Sequence, residues 1–173
     1  MTVHQQTLTV TKKNIMKTNI LTFLIAFAFL SCNAQNDHLN HVTHDKVKFN
    51  NLFNYDTNPN TIKNSIGNPI SITLRFSELQ DTNVTVYNYN GLKIDFINNI
   101  IYDFEITNNT YSLFIDGLEI KVGNHINTLE NKFPKSYNQR TQEGISIIVN
   151  DWDSWILINT NNNLITKIEH RNF

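Results

Sequence analysis

Short apolar runs separated by Asn-Gly, Asn-Asn and Asp-Gly pairs are the feature that most constrains the fold of this chain. Residues 84–89 alternate between the two faces of a strand, and Asn90-Gly91 follows them. An Asn-Gly pair between two such runs is the strongest short-range signal for a β-hairpin. Further strands are predicted at residues 92–96, 100–106, 111–115, 118–122, 145–149, 155–159 and 164–170. The pattern therefore predicts two antiparallel meanders.

A short segment with helical spacing precedes each predicted meander. Residues 60–67 and 127–134 align with three identical positions, and both have a polar start and apolar residues four positions apart. We expect Gly67 to end the first helix and Pro134 to end the second, because neither residue continues a helix readily. The offset between the segments predicts an internal duplication with a repeat of about 65 residues.

The predicted fold class is α+β. Two helix-plus-antiparallel-meander repeats, at residues 46–116 and 117–173, would form a single domain with both helices packed on one face of the sheet. Residues 120–129, followed by Phe133-Pro134, resemble the strand, glycine turn and helix that open the tandem repeats of beta-lactamase inhibitory protein and of the outer-membrane assembly lipoprotein BamE. The resemblance implies a role in binding proteins, in inhibition or envelope assembly, and transfers no functional residue.

The segment before the predicted domain has the composition of an export signal. Lysines lead into an apolar run at residues 20–30, which is too short to cross a bilayer as a helix. Residues 29–32, Phe-Leu-Ser-Cys, resemble a bacterial lipobox, which implies that Cys32, the only cysteine, is cut at its amino side and lipidated. The predicted organisation is an over-long start at residues 1–15, a lipoprotein signal peptide at 16–31, the lipidated cysteine and a flexible tether at 32–45, and the single domain at 46–173.

Lipidation predicts a place in the bacterial cell envelope. Two or more acyl chains give durable membrane attachment, so we expect an outer-membrane lipoprotein that faces either the periplasm or the outside. The alternatives are a cut after residues 33–35 without lipid, or an unpaired buried cysteine at position 32. The formal net charge is −1, which argues against nucleic-acid binding because such binding requires a basic face. The expected partners are therefore the membrane, through the anchor, and an envelope protein.

Four aromatic residues are candidates for a partner interface. Trp152 and Trp155 are the only tryptophans and lie at and after a predicted turn, while Tyr87 and Tyr89 share one face of a predicted strand. Tryptophan and tyrosine are enriched where interfaces carry most binding energy. The alternative is that Trp155 packs in the core, Trp152 covers an edge, and the tyrosines are ordinary sheet residues.

Three histidines are weak candidates for a metal site. His38, His41 and His44 are spaced three apart in the predicted tether. This spacing spreads side chains around a helix rather than bringing them together, and a tether offers no rigid support for metal ligands. A solvated linker is the favoured interpretation, and no cofactor is predicted.

No catalytic residue is predicted. Asp103 and Glu105 share a strand face that Asp95 approaches from the next strand, and paired carboxylates can perform acid–base chemistry. Ordinary cross-strand ion pairing explains them better. His125 and His170 have no evident serine or aspartate partner in the sequence.

The sequence predicts a non-enzymatic, lipid-anchored cell-envelope protein that binds another protein through an exposed sheet face. One alternative is a carbohydrate- or small-ligand-binding lipoprotein, for which the 29 asparagines could supply an amide-rich face. The codon bias of an AT-rich genome is the simpler reason for that composition. A toxin-immunity protein is the second alternative.

Overall fold

The computed structural model describes residues 38–150 and 154–172, which lie in one compact unit. These residues form two sheets, two short α-helices and two 3₁₀ turns. The strands are β1 (His41–Val42), β2 (Val47–Phe49), β3 (Ser71–Ser77), β4 (Thr82–Tyr89), β5 (Leu92–Ile97), β6 (Ile100–Ile106), β7 (Ser112–Ile115), β8 (Leu118–Lys121), β9 (Gly144–Val149), β10 (Ser154–Asn161) and β11 (Leu164–Asn172). The helices are α1 (Pro59–Ile66) and α2 (Pro134–Asn138), and the 3₁₀ turns are His44–Lys46 and Ile126–Leu129.

The large sheet has eight strands in the order β1-β9-β10-β11-β6-β5-β4-β3. All neighbours are antiparallel except β1 and β9, which are parallel. Strands of both predicted meanders share this sheet because β6 pairs with β11, with Ile106 opposite Ile168 and Phe104 opposite His170. The last two strands of the first predicted meander, β7 and β8, belong instead to the small sheet. A contact between strands this far apart in sequence cannot be read from local turn signals.

A three-stranded sheet in the order β2-β7-β8 packs on one face of the large sheet. Phe49 of β2 meets Phe104 of β6 edge to face, with ring centroids 4.4 Å apart. Leu113 and Ile115 of β7 belong to the same buried cluster, as does Ile62 of α1. The core therefore lies mainly between two sheets, as in a layered β structure.

The predicted α+β fold of two helix-plus-meander repeats, with helices packed on the sheet, is wrong. The described residues are mostly β, with 50% strand and 15% helix. The small sheet supplies much of the covering layer that the prediction assigned to helices. No strong turn signal flanks β2 in the sequence, so its pairing with β7 could not be predicted.

The two predicted helices have different outcomes. The first is observed as α1, where the Asn58 side chain accepts hydrogen bonds from two backbone N–H groups and Gly67 follows the last turn. The second is replaced by the Ile126–Leu129 3₁₀ turn and by α2, which begins at Pro134. Proline suits the first position of a helix, because its missing N–H would be unpaired there anyway. Pro134 therefore starts a helix instead of ending one.

The predicted turns are confirmed. Asn90-Gly91 joins β4 to β5, Asn98-Asn99 joins β5 to β6, and Asp116-Gly117 joins β7 to β8. Gly91 has φ of +83°, a region that side chains disfavour. The non-glycine residues with positive φ in the described ranges are all Asn or Asp: Asn50, Asn51, Asp81, Asn98, Asn99, Asp116, Asn162 and Asn163. Several asparagines of this chain thus have a turn-forming role.

The predicted tether is shorter than expected. Residues 38–45 belong to the folded unit, since β1 pairs with β9 and a 3₁₀ turn starts at His44. The earlier part of the predicted tether and the signal segment lie outside the described residues. No described helix is both long enough and apolar enough to cross a membrane.

Candidate functional site

An apolar row on the edge strand β3 is the main exposed hydrophobic feature of the large sheet. Ile72, Leu74 and Phe76 alternate along β3 and are 52%, 72% and 57% exposed. We call these three residues the β3 surface. Ile70 and Leu79, which flank the strand, are exposed as well. Contiguous exposed apolar side chains on a folded chain usually mark an interaction site.

The β3 surface faces the core side of the sheet but extends beyond the layer that covers it. Ile72 lies opposite Tyr87 of β4, and Tyr87 is buried beneath α1, with Lys63 Nζ 5.7 Å from its ring centroid. No element in the described ranges pairs with the outer edge of β3. The covering layer therefore ends at β4 and leaves β3 open.

Two buried carboxylates lie on the opposite face of the large sheet. Asp95 and Glu169 have side chains only 3% and 7% exposed. Arg75 Nη2 of β3 donates to Asp95 Oδ2 at 2.7 Å, whereas Lys93 Nζ is 3.7 Å from the other oxygen. Asp95 lies opposite Asp103, which confirms the predicted proximity of these two carboxylates. Ion pairing in this region ties the edge strand to the centre of the sheet.

Glu169 has a more complete set of partners. Its carboxylate accepts hydrogen bonds from Asn159 Nδ2 at 3.0 Å, Lys167 Nζ at 3.1 Å and Arg171 Nη2 at 2.9 Å. Burial by itself raises the pKa of Glu169, but the hydrogen bonds from Asn159, Arg171 and Lys167 outweigh it, so the pKa lies below its ordinary value. Glu169 therefore remains ionised at neutral pH.

His170 lies in the core beside both a serine and an aspartate. Its Nε2 is 2.7 Å from Ser154 Oγ, and its Nδ1 is 3.4 Å from Asp103 Oδ1. Its ring stacks on Phe104 at 5.5 Å and lies 4.9 Å from the ring of Tyr55. The order serine, histidine, aspartate is the order of groups in a serine hydrolase. This arrangement could not be predicted from the sequence, because Asp103 reaches His170 only through the long-range β6–β11 pairing.

Burial decides what this group of three can do. Ser154 is 0% exposed and His170 is 1% exposed, so the hydroxyl has no surface that a substrate could reach in this conformation. Asp103 also accepts a hydrogen bond from the Asn172 backbone N–H at 3.1 Å. The interactions thus hold β6, β10 and the end of β11 together.

The predicted aromatic interface is only partly within the described residues. Tyr87 and Tyr89 are buried, at 7% and 9% exposure, and belong to the core cluster. The expectation that they form an exposed patch is therefore corrected: α1 and the hydrophobic core occupy that face. Trp155 is half-buried on β10, opposite Ile148 and Arg171. Trp152 and the lipidation candidate Cys32 lie outside the described residues.

The weak metal candidates do not converge. His41 lies on β1, with its Nδ1 hydrogen-bonded to Asn150 Oδ1, and His44 begins a 3₁₀ turn. Across residues 38–150 and 154–172, no three His, Cys, Asp or Glu side chains form a group that could hold a metal ion. His38 is an exposed residue at the start of the folded unit.

A polar groove lies beside the β10–β11 turn. Its cavity volume is about 440 Å³. Its lining consists of Ile126, Arg140, Thr141, Gln142, Thr160, Asn161, Asn162 and Asn163. Amide and hydroxyl groups of this kind can hydrogen-bond to polar small molecules, although aromatic residues are missing from this lining.

The comparisons with known proteins add little. No protein-family model matches the chain, and no curated protein matches it. Among solved structures, the chain is similar to an extracellular protein containing a SCP domain from Bacillus anthracis str. Ames, with a TM-score of 0.40 and 9% identity. The match covers 68% of this chain, which spans about half (46%) of that structure. A similarity this weak carries no argument about fold or activity.

The β3 surface could have been found in the sequence. Residues 71–77 read Ser-Ile-Thr-Leu-Arg-Phe-Ser, a strict alternation of polar and apolar side chains that predicts a strand. The strands predicted above begin at residue 84 and leave this stretch out. Its exposure could not have been predicted, because alternation does not show whether another layer covers the apolar face.

Proposed function

We propose that this chain is a non-enzymatic, lipid-anchored cell-envelope protein that binds another protein chain through the β3 surface. The observation that carries the proposal is the row of Ile72, Leu74 and Phe76 on an edge strand that no described element pairs or covers. The lipobox-like sequence at Cys32 supports the anchor. The burial of Ser154 supports the non-enzymatic part.

Strand addition is the binding mode that fits an edge of this kind. An edge strand presents unpaired backbone N–H and C=O groups, which a strand from a partner can satisfy. Proteins usually protect such edges with proline, lysine, a bulge or a very short strand. β3 has seven residues with no proline or lysine, and its register with β4 has no shift. The apolar row would add side-chain contacts to the backbone hydrogen bonds.

Site-specific crosslinking in the envelope tests this proposal. A photo-crosslinking amino acid replaces Leu74 in the full chain, and the matched control places it at Leu52, an equally aliphatic residue that is 67% exposed in a loop elsewhere. We expect a discrete crosslinked protein product from position 74 and none from position 52. The proposal is wrong if position 74 gives no product, or the same products as position 52.

The anchor needs its own test. Replacing Cys32 with serine removes the only thiol that could be lipidated. We expect the Cys32→Ser chain to be lost from the washed membrane fraction, whereas the unchanged chain stays in it. Equal retention of both chains would overturn the proposed lipid anchor. It would not bear on the proposed binding through the β3 surface.

The polar groove favours a second candidate function, carbohydrate binding. Its lining of amides and hydroxyls matches the hydrogen-bonding groups of sugars. A glycan array probed with the full chain and with the Gln142→Ala variant tests it, and Asn60→Ala on α1 is the control. Binding that is lost only in Gln142→Ala would favour this candidate. A toxin-immunity role is a form of protein binding that the β3 surface would also serve.

A further inference from the structure

The sequence of β3 is symmetric about its central residue. Read in either direction from Leu74, it runs polar, apolar and small polar: Ser71-Ile72-Thr73-Leu74-Arg75-Phe76-Ser77. We infer that the chain added to β3 is the β3 of a second copy of this protein, paired antiparallel about a two-fold axis at Leu74. The inference rests on the proposed function and names the partner of the same surface.

The pairing joins the apolar side chains into one continuous row. A two-fold interface brings each residue against the symmetric position of the other copy. With the axis at Leu74, Ile72 faces Phe76 of the second copy, Phe76 faces Ile72, and the two Leu74 side chains face each other. These residues are more than half exposed in the single chain, so pairing would remove apolar surface from water on both copies.

The opposite face of β3 is also compatible with self-pairing. Arg75 would lie opposite Thr73 of the second copy and not opposite the other Arg75. Each Arg75 is already paired with Asp95 of its own chain at 2.7 Å, so the two positive charges are compensated. An axis at Arg75 would place two arginines directly opposite each other, which is unfavourable. An axis at Thr73 would also keep the arginines apart but would pair only residues 71–75, whereas the axis at Leu74 pairs all seven residues of β3. Charge and strand length together therefore favour the axis at Leu74.

Cysteine crosslinking of the full chain tests both the partner and the register. Residues directly opposite in an antiparallel pair have Cα atoms about 4.5–5.5 Å apart, within the range of a disulfide. Leu74→Cys should form a covalent dimer under mild oxidation. Ile72→Cys and Phe76→Cys, each alone, should not, because identical positions would be about 13 Å apart. Co-expression of these two variants should restore the dimer.

The controls separate self-pairing from collision and from other partners. The unchanged chain reports any dimer formed through Cys32. We expect at least about tenfold more dimer from Leu74→Cys than from Ile72→Cys alone, since only the former has the required spacing. Equal yields from these variants, or none above the unchanged chain, would overturn the inference. If the photo-crosslinker at position 74 still captures a different protein, the proposed function stands without self-pairing. If that probe also fails, both are wrong.

Discussion

The two ends of the eight-stranded sheet are built in opposite ways. At one end, β1 has only two residues, and the segment before it is tied to α2 by reciprocal bonds: the Asn40 N–H donates to Ser136 Oγ at 2.8 Å, and the Ser136 N–H donates to Asn40 Oδ1 at 3.0 Å. At the other end, β3 has seven residues and an exposed apolar row. The first end carries features that limit strand addition, whereas the second has only one of them, the charged Arg75.

The difference shows which edge of the sheet is accessible to a partner strand. A very short edge strand offers few free backbone groups, and a 3₁₀ turn at His44–Lys46 ends β1 directly. β3 has the opposite character, since Arg75 holds it to the sheet while its apolar side chains remain exposed. An edge that is well attached and yet open is suited to a partner strand.

The largest expected effect comes from placing a charge at the centre of β3, which we call the open end of the sheet. Leu74→Lys would put two ammonium groups opposite each other across the two-fold axis, and like charges at an interface cost several kcal/mol. We expect the dissociation constant of the dimer to rise about a hundredfold. Sedimentation of the full chain in detergent measures it.

Leu52→Lys is the control for this change, because Leu52 is equally exposed but lies in a loop. Neither variant should change the free energy of unfolding by more than about 0.5 kcal/mol, as expected for surface positions. A dimer that survives Leu74→Lys with unchanged affinity contradicts the assignment of the open end as the interface.

The next largest effect is expected from removing the ion pair that attaches β3 to the sheet. Arg75→Ala removes the close partner of Asp95 and leaves a buried carboxylate with only Lys93 at 3.7 Å. We expect a loss of about 1–3 kcal/mol in the free energy of unfolding, because a buried charged acceptor is left unsatisfied. Arg171→Ala is the matched comparison, since Glu169 keeps Asn159 and Lys167. It should cost at most about 1 kcal/mol.

Urea unfolding at pH 7 separates these two variants. A midpoint that falls further for Arg171→Ala than for Arg75→Ala would show that the ion pair at the open end is not what attaches β3. Both arginines are partly exposed, so lost packing of their aliphatic stems is similar in the two variants and does not decide the comparison.

Local signals in the sequence predicted the hairpins well and the layers poorly. Asn90-Gly91 and Asp116-Gly117 fix turns through their own backbone preferences, and both were correct. The β6–β11 pairing that joins the meanders depends on contacts between distant segments, such as Phe104 with His170. No residue pattern nearby encodes that contact, so local signals do not show that strands of the two meanders pair with each other.

The candidate site was predictable only in part. The alternation at residues 71–77 contains the β3 strand, but its exposure depends on where α1 and the small sheet stop. The tyrosines failed as surface candidates for the same reason: Tyr87 lies one strand further in, where α1 covers the sheet. Sequence periodicity shows that a strand has an apolar face but does not show what lies over it.

Acid should weaken the half of the sheet around Glu169. Its folded-state pKa lies below its ordinary value of 4.5, so its stabilising effect is present above that pH and is lost as pH falls through the folded-state value. Between pH 7 and pH 3, the unchanged chain should lose more stability than Glu169→Gln, which has no carboxylate to protonate. Urea midpoints across this range measure it, and parallel curves for the two chains would contradict the prediction.

The smallest effect compares two tyrosine hydroxyls, one near each end of the sheet. Burial, followed by the nearby Tyr111 and Tyr87, raises the pKa of Tyr89 to about 12, and its buried hydroxyl has no hydrogen-bond partner in the described part of the chain. Tyr137 of α2, near the β1 end of the sheet, donates a hydrogen bond from its hydroxyl to Asn127 Oδ1 at 2.7 Å. Tyr89→Phe should therefore stabilise the fold by up to about 1 kcal/mol, and Tyr137→Phe should destabilise it by about as much. Each change removes one oxygen and keeps the ring, so the opposite signs in thermal unfolding would arise from hydrogen bonding and not from packing. Equal losses of stability in both variants would contradict this prediction, because they would show that the Tyr89 hydroxyl also makes a stabilising hydrogen bond.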